Sequence, residues 1–240
     1  MTRLRLAESI LVQLTLAVAT LHAGDRQSKT VDSAVAVAEA FASAPRLLHV
    51  PPAILADARG VAVIPHVVKA GVIVDRCFGR GVLLVRGPDG SWSHPVFVTL
   101  EGGGIGLDVG VEATDVVLVF KSEKSMEHIL QGKGQLTLGS DVAVAVGPLG
   151  REAEKSAELW KKSEVFCYSH TRGLFAGLTL EGDKLRVDTE ANEAFYHLHG
   201  GHPADVLAIH GPSPVAGVER LREHFARMCI PPTAPAYPGR

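Results

Sequence analysis

Five basic side chains, Arg59, Lys69, Arg76, Arg80 and Arg86, lie between positions 59 and 86 against a single acid, Asp75. Guanidinium groups pair bidentately with phosphate or carboxylate oxygens, and a lysine adds a point charge, so this is chemistry for holding anions. Residues of this kind also occur as solvated strand ends. Lys69 stands just before a glycine that opens a strand, and Arg76 and Arg80 bracket a predicted Cys77-Phe78-Gly79 turn. The chain reversal would then bring the three cations to one rim, and Arg172 is the fourth candidate.

Other groupings carry less. Gly102-Gly103-Gly104-Ile105-Gly106 resembles a phosphate-cradling loop, but an alternating strand follows it where a helix would be needed, so a bulge or close strand packing is expected. His197, His199, His202 and His210 cluster at short spacing without a Cys, Asp or Glu pattern to complete a metal set, and they read as surface histidines. Ser169 and His170 are neighbours on a predicted strand and point to opposite faces, which separates nucleophile from base. Cys77, Cys167 and Cys229 are far apart and odd in number; they read as small buried thiols, with one disulfide plus a free thiol the other option. No catalytic residue, metal or cofactor is expected from these patterns.

The 240 residues are 46% hydrophobic and 21% charged, enough for one sizeable core. The formal charge of −2 provides no general basic excess, and eight Phe, three Tyr and two Trp make a poor stacking platform, so no nucleic-acid partner is expected. Arg3 and Arg5 precede an apolar stretch from Ile10 to Ala19 and small residues at Ala17, Ala19, Ala23 and Gly24, the order of a secretory signal. The same stretch also repeats at helical spacing. The division expected is a signal peptide over 1–24, one domain over 25–228, and a flexible tail over 229–240 that holds Pro231, Pro232, Pro235 and Pro238. Export to the periplasm or medium, with a membrane-peripheral location, is the expectation; a cytoplasmic location is the alternative.

The elements that must position these residues follow from periodicity. Val31, Ala34, Val35, Ala38 and Phe41 predict a helix from Asp25 to Ser43, and Pro51-Pro52 a short one to Ala58. Short strands are predicted at 61–64, 71–77, 81–86, 92–100, 105–112 and 115–121, with a Gly87-Pro88-Asp89-Gly90 hairpin turn. A helix over 125–131, strand over 135–146, a charged helix over 151–162, strands at 165–172, 174–180 and 185–188, and helices over 189–198 and 215–228 complete the chain. Strands in unbroken succession with helices at the edges predict an α+β domain: a mainly antiparallel, barrel-like sheet with peripheral helices.

Five strings then carry a family resemblance: ARGVAVIPHVVKAG from Ala58, GRGVLLVRGPDGSWSHPVFV from Gly79, GGGIGLDVGVEATDVVLVF from Gly102, LTLGSDVAVAVGPLGR from Leu136 and SHTRGLFAGLTLEG from Ser169. With Glu190-Ala191-Asn192, Phe195-Tyr196 and Ala204-Asp205-Val206-Leu207 in order, the chain resembles the SYLF domain from about Val31 to Phe225. That family includes yeast cortical actin regulators, a vertebrate phosphoinositide-binding adaptor, plant proteins with a FYVE finger, and bacterial chains of little more than an export signal and this domain; the present arrangement is similar to the bacterial one. The resemblance implies a non-enzymatic module that binds anionic phospholipid, or actin filaments in the fungal members. In the lipid-binding members the helix before the first strand is lysine-rich; here 25–49 carries Arg26, Lys29 and Arg46 against Asp25, Asp32 and Glu39, and is neutral.

The expectation is therefore a binding domain that meets an anionic phospholipid or membrane surface through Lys69, Arg76, Arg80 and Arg172. The alternative is a protein- or polymer-interaction domain of the cell envelope, and an unrecognised hydrolase is the third option.

Overall fold

A computed structural model describes residues 24–43, 50, 52–71, 74–105, 110–131, 134–146, 163–171, 180 and 182–229. The predicted signal segment 1–24 except Gly24, the charged helix 151–162, the strand 174–180 up to Thr179, and the tail beyond Cys229 lie outside the described residues. Helix α1 (24–43) is followed by α2 (Pro52–Ala56) and four long strands: β1 (Gly60–Gly71), β2 (Val74–Val85), β3 (Val96–Ile105) and β4 (Gly110–Phe120). Then come α3 (Glu123–Leu130), β5 (Gln135–Thr137), β6 (Val144–Val146), β7 (Val165–Thr171), β8 (Lys184–Val187), α4 (Thr189–Tyr196), α5 (Pro203–Leu207) and α6 (Ala216–Met228).

The eight strands among the described residues form one sheet in the order β5-β8-β3-β2-β1-β4-β7-β6, antiparallel except where β6 joins β7. The outer strands β5 and β6 are consecutive in the chain, joined by residues 138–143. Eight flat strands would put the edges about 34 Å apart, whereas that link reaches at most about 25 Å. The sheet must curl, and the bridge between Leu138 and Val142 ties its two edges together. The result is a strongly curled half-barrel, so the predicted α+β class with a mainly antiparallel, barrel-like sheet holds.

Alternation sorts the sheet's side chains into two cores. Val61, Val63, Val82, Leu84, Phe97, Val117, Val119, Phe166 and Tyr168 meet apolar residues of α1, α2 and α6 on the outer face. Ala62, Ile64, Leu83, Val98, Leu100, Val116, Leu118, Cys167 and Leu185 meet Met126 and Ile129 of α3 on the inner face. The unbroken apolar runs at 61–64 and 116–120 are thus strands covered on both sides.

The strand boundaries differ from those predicted because Gly79 and Gly81, which suggest a turn and a strand start, lie inside one longer strand. The predicted strands at 61–64, 71–77 and 81–86 are parts of two twelve-residue strands, β1 and β2. In β1 the extra residue is absorbed by a bulge: Ile64 faces Val116 and Val67 faces Thr114, so Pro65 and His66 lie against Asp115 alone. His66 takes a left-handed φ of 50°, and its N–H donates to the buried Asp115 Oδ1 at 2.9 Å. The carboxylate thereby supplies the acceptor that the interrupted ladder lacks.

Candidate functional site: a cationic face and an apolar groove

The bulge shapes the site through its neighbour. A Cβ at Gly79 would approach the side chains of Ile64 and Val67 to 2.8 Å, and one at Gly81 would fall on the carbonyl oxygen of Val63. These glycines serve close packing of β2 beneath the bulge. The predicted Cys77-Phe78-Gly79 turn is therefore corrected: the three residues lie in the middle of strand β2.

In an extended strand, Arg76, Phe78 and Arg80 share one face while Cys77, Gly79 and Gly81 share the other. Arg76, Phe78 and Arg80 are exposed and Cys77 is buried in the inner core. Lys69 is registered opposite Cys77 on β2 and Glu112 on β4. Directly paired residues project to the same side of a sheet, so Lys69 stands on the inner face, across the sheet from Arg76 and Arg80. The three cations do not form one rim, and Arg172 lies outside the described residues.

Register supplies cations that the sequence reading missed. Thr99 on β3 sits between Arg80 on β2 and Arg186 on β8, and Glu101 sits between Phe78 and Lys184. Gly103 faces Arg76 and leaves it uncovered. Arg76, Arg80, Lys184 and Arg186 are all exposed, on the face opposite the inner-core residue Leu185. The strict alternation of Lys184-Leu185-Arg186-Val187 was the available signal for the last two. Glu101 is the acid in this patch, and it accepts from the Thr99 hydroxyl at 3.3 Å.

Two apolar side chains complete the face. Val68 and Phe78, which are register partners, are 41% and 40% exposed, the large hydrophobic residues left open among those described. The Arg80 guanidinium lies over the Phe78 ring, 4.8 Å from its centroid. Arg26 and Lys29 of α1 rise on the opposite side of a groove of about 370 Å³. On the α4 side of Arg80 a second cleft, about 420 Å³, holds Arg26 and Arg80 with Asp188 and Glu190, so its charges are internally matched.

The remaining candidates are accounted for. Among the described residues no group of His, Cys, Asp and Glu could hold a metal ion. Cys77, Cys167 and Cys229 are buried thiols outside any disulfide, as the reading of small buried thiols expected, and burial pushes the Cys167 thiol up to about 12. Ser169 and His170 lie side by side on β7 and so project to opposite faces. Gly102, from the glycine run, lies within β3 where a Cβ would collide with the carboxylate of Asp183, which fits the expected close packing. No helix among the described residues is long and apolar enough to cross a membrane.

The family model described as "Ysc84: Las17-binding protein actin regulator" matches residues 101–228. The chain belongs to the Ysc84 family. This agrees with the SYLF resemblance drawn from the five sequence strings. Among Ysc84 relatives, the rat SH3 domain-containing YSC84-like protein 1 is 42% identical over 147 residues, 61% of this chain and 43% of that protein. Its human counterpart is 41% identical over 147 residues, 61% of this chain and 42% of that protein. Protein YSC84 of Saccharomyces cerevisiae is 43% identical over 149 residues, 61% of this chain and 31% of that protein. The chain thus spans less than half the length of these curated relatives. The rat and human relatives are named as SH3 domain-containing proteins, and the family model is described as an actin regulator. No solved structure matches the chain. Glu101, Lys184 and Arg186 fall inside the segment matched by the Ysc84 model, whereas Val68, Arg76, Phe78 and Arg80 precede it.

Proposed function

We infer that this chain is a non-enzymatic binding domain that engages a protein partner of the actin-regulating kind, a filament or a regulator bound to one, through the outer sheet face. The observation that carries the reading is the register of Arg80, Thr99 and Arg186 beside Phe78, Glu101 and Lys184 on three adjacent strands. With strands about 4.8 Å apart, Arg80 and Arg186 have Cα atoms about 10 Å apart on a rigid scaffold. A firm array of cations with an aromatic side chain among them is suited to an acidic protein surface, because Arg and aromatic residues supply most of the energy in such contacts. The family's description as a Las17-binding protein actin regulator supports a protein partner over other anions.

Co-sedimentation of the full chain with purified actin filaments tests this. Binding is expected at low salt, weakening as salt screens exposed charges over about 8 Å at physiological strength. Arg80→Glu with Arg186→Glu should abolish most of it. Wild-type protein that stays in the supernatant at low salt would remove this partner.

A second reading, binding of an anionic phospholipid surface, is favoured by one specific observation: Phe78 lies exposed between Arg76 and Arg80 on one strand face. In that reading Arg76 and Arg80 act without Lys69, which the register puts on the other face. Sedimentation with vesicles of mixed anionic and neutral phospholipid, against neutral vesicles alone, distinguishes the two.

A further inference from the structure

The groove between α1 and the bulged β1–β2 pair differs from the open cationic face beside it. Its floor is apolar, made by the directly paired Val68 and Phe78. Its walls are basic, with Arg26 and Lys29 on the helix side and Arg80 on the strand side, and among the described residues no carboxylate lines it. Glu101, the neighbour of Phe78 on β3, stands on the side of β2 away from β1. Lys29 is paired with Asp25 at 2.7 Å, but both side chains are more than 60% exposed, and such a pair exchanges partners at little cost.

We propose that this groove is the docking slot for an acidic segment of the partner, one that buries a large apolar side chain between Val68 and Phe78 and sets flanking carboxylates against Arg26, Lys29 and Arg80. The inference rests on the protein-partner reading and names the part of the partner that is bound. Charge complementarity selects an acidic segment, and the paired apolar floor selects an anchor residue within it. The shallow groove is bordered by α1 on one side and by Arg80 on the other, which suits a narrow chain segment better than a flat bilayer surface. His66 lines the same groove, its ring Nδ1 3.5 Å from the carboxylate of Asp115, so the strained bulge holds that wall in place.

The probe is a fluorescein-labelled peptide with one phenylalanine flanked by glutamates, titrated with the full chain and followed by anisotropy. Peptides with the phenylalanine replaced by glycine, or the glutamates by lysine, are the controls. Binding of the first peptide alone is expected, with a loss of about tenfold or more in Phe78→Ser and in Arg80→Glu and none in Arg227→Glu on α6. Circular dichroism melting of each variant separates lost binding from lost folding. If all three peptides bind alike, or none does, the inference is overturned. If filaments bind while the acidic peptide neither binds nor competes, the inference falls and the protein-partner reading stands; if the peptide binds through Phe78 and filaments are ignored, the inference stands and that partner falls. Phe78-dependent binding of anionic vesicles without peptide binding would assign the groove to the membrane instead.

Discussion

Arg80 lies with its guanidinium 4.8 Å from the centroid of the Phe78 ring, two residues away on the same exposed face of β2. An exposed cation–π contact of this kind is worth about 0.5–1 kcal/mol. Phe78→Ala, Arg80→Ala and the double variant should therefore unfold within about 1 kcal/mol of wild type in urea, while binding to acidic filaments drops in each. A loss of several kcal/mol of stability would mean that the pair holds the fold.

The two faces of the sheet make a sharper comparison. Lys69 is registered with Cys77, and Arg80 with Thr99, on opposite sides. Lys69→Gln should leave the salt dependence of partner binding unchanged, whereas Arg80→Gln with Lys184→Gln should reduce its slope. Equal effects from both, measured by co-sedimentation across a salt series, would return Lys69 to the site.

Gly81 is a packing glycine beneath the bulge, where an added methyl would meet the Val63 carbonyl and Ile64 Cα. Gly81→Ala should cost about 1–3 kcal/mol by overpacking. Gly182, whose Cβ would meet nothing within 4 Å but whose φ is 90°, is destabilised by strain alone on the same substitution. Chemical denaturation ranks them, and the prediction fails if Gly81→Ala is neutral.

Asn192 is fully buried and joins three elements: its Oδ1 accepts from the Phe97 N–H at 2.8 Å, and its Nδ2 donates to the Gly201 carbonyl at 3.0 Å. Asn192→Ala leaves both backbone groups unpartnered in the core, at a cost of about 3 kcal/mol. A fall in melting temperature without a change in binding per folded molecule is the expected result.

Burial pushes the His224 imidazole below the usual histidine range, opposed by the Glu39 carboxylate and the Ala38 backbone. Among the described residues its buried Nε2 has no hydrogen-bond partner, so protonation places a proton where none of them accepts it. The unfolded chain then binds more protons than the native one as pH falls through about 6.5, and stability rises with pH in that window. The contribution is present above the unfolded value and is lost as pH falls through the folded one. Melting temperatures from pH 7.5 to 5 should fall for wild type and fall less for His224→Gln; parallel curves would exclude His224 as the cause.

Periodicity and local chemistry by themselves determined the first helix, the α+β class, the hairpin turn around Gly87 to Gly90, and the buried state of the three cysteines. These depend on spacing of 2.0 and 3.6 residues, or on turn residues acting within a few positions. The Asp188 side chain, accepting from the Ala191 N–H at the start of α4, is another such local device. Only the tertiary structure decided that Gly79 and Gly81 continue a strand, because their smallness answers to a bulge in β1 some fifteen residues earlier in the chain. The same holds for the site. A cation's position along the chain does not say which side of a sheet it occupies; one bulge changes the phase of alternation, and cross-strand register then puts Arg186 on the same face as Arg80, across Thr99, and Lys69 on the far side of the sheet from both.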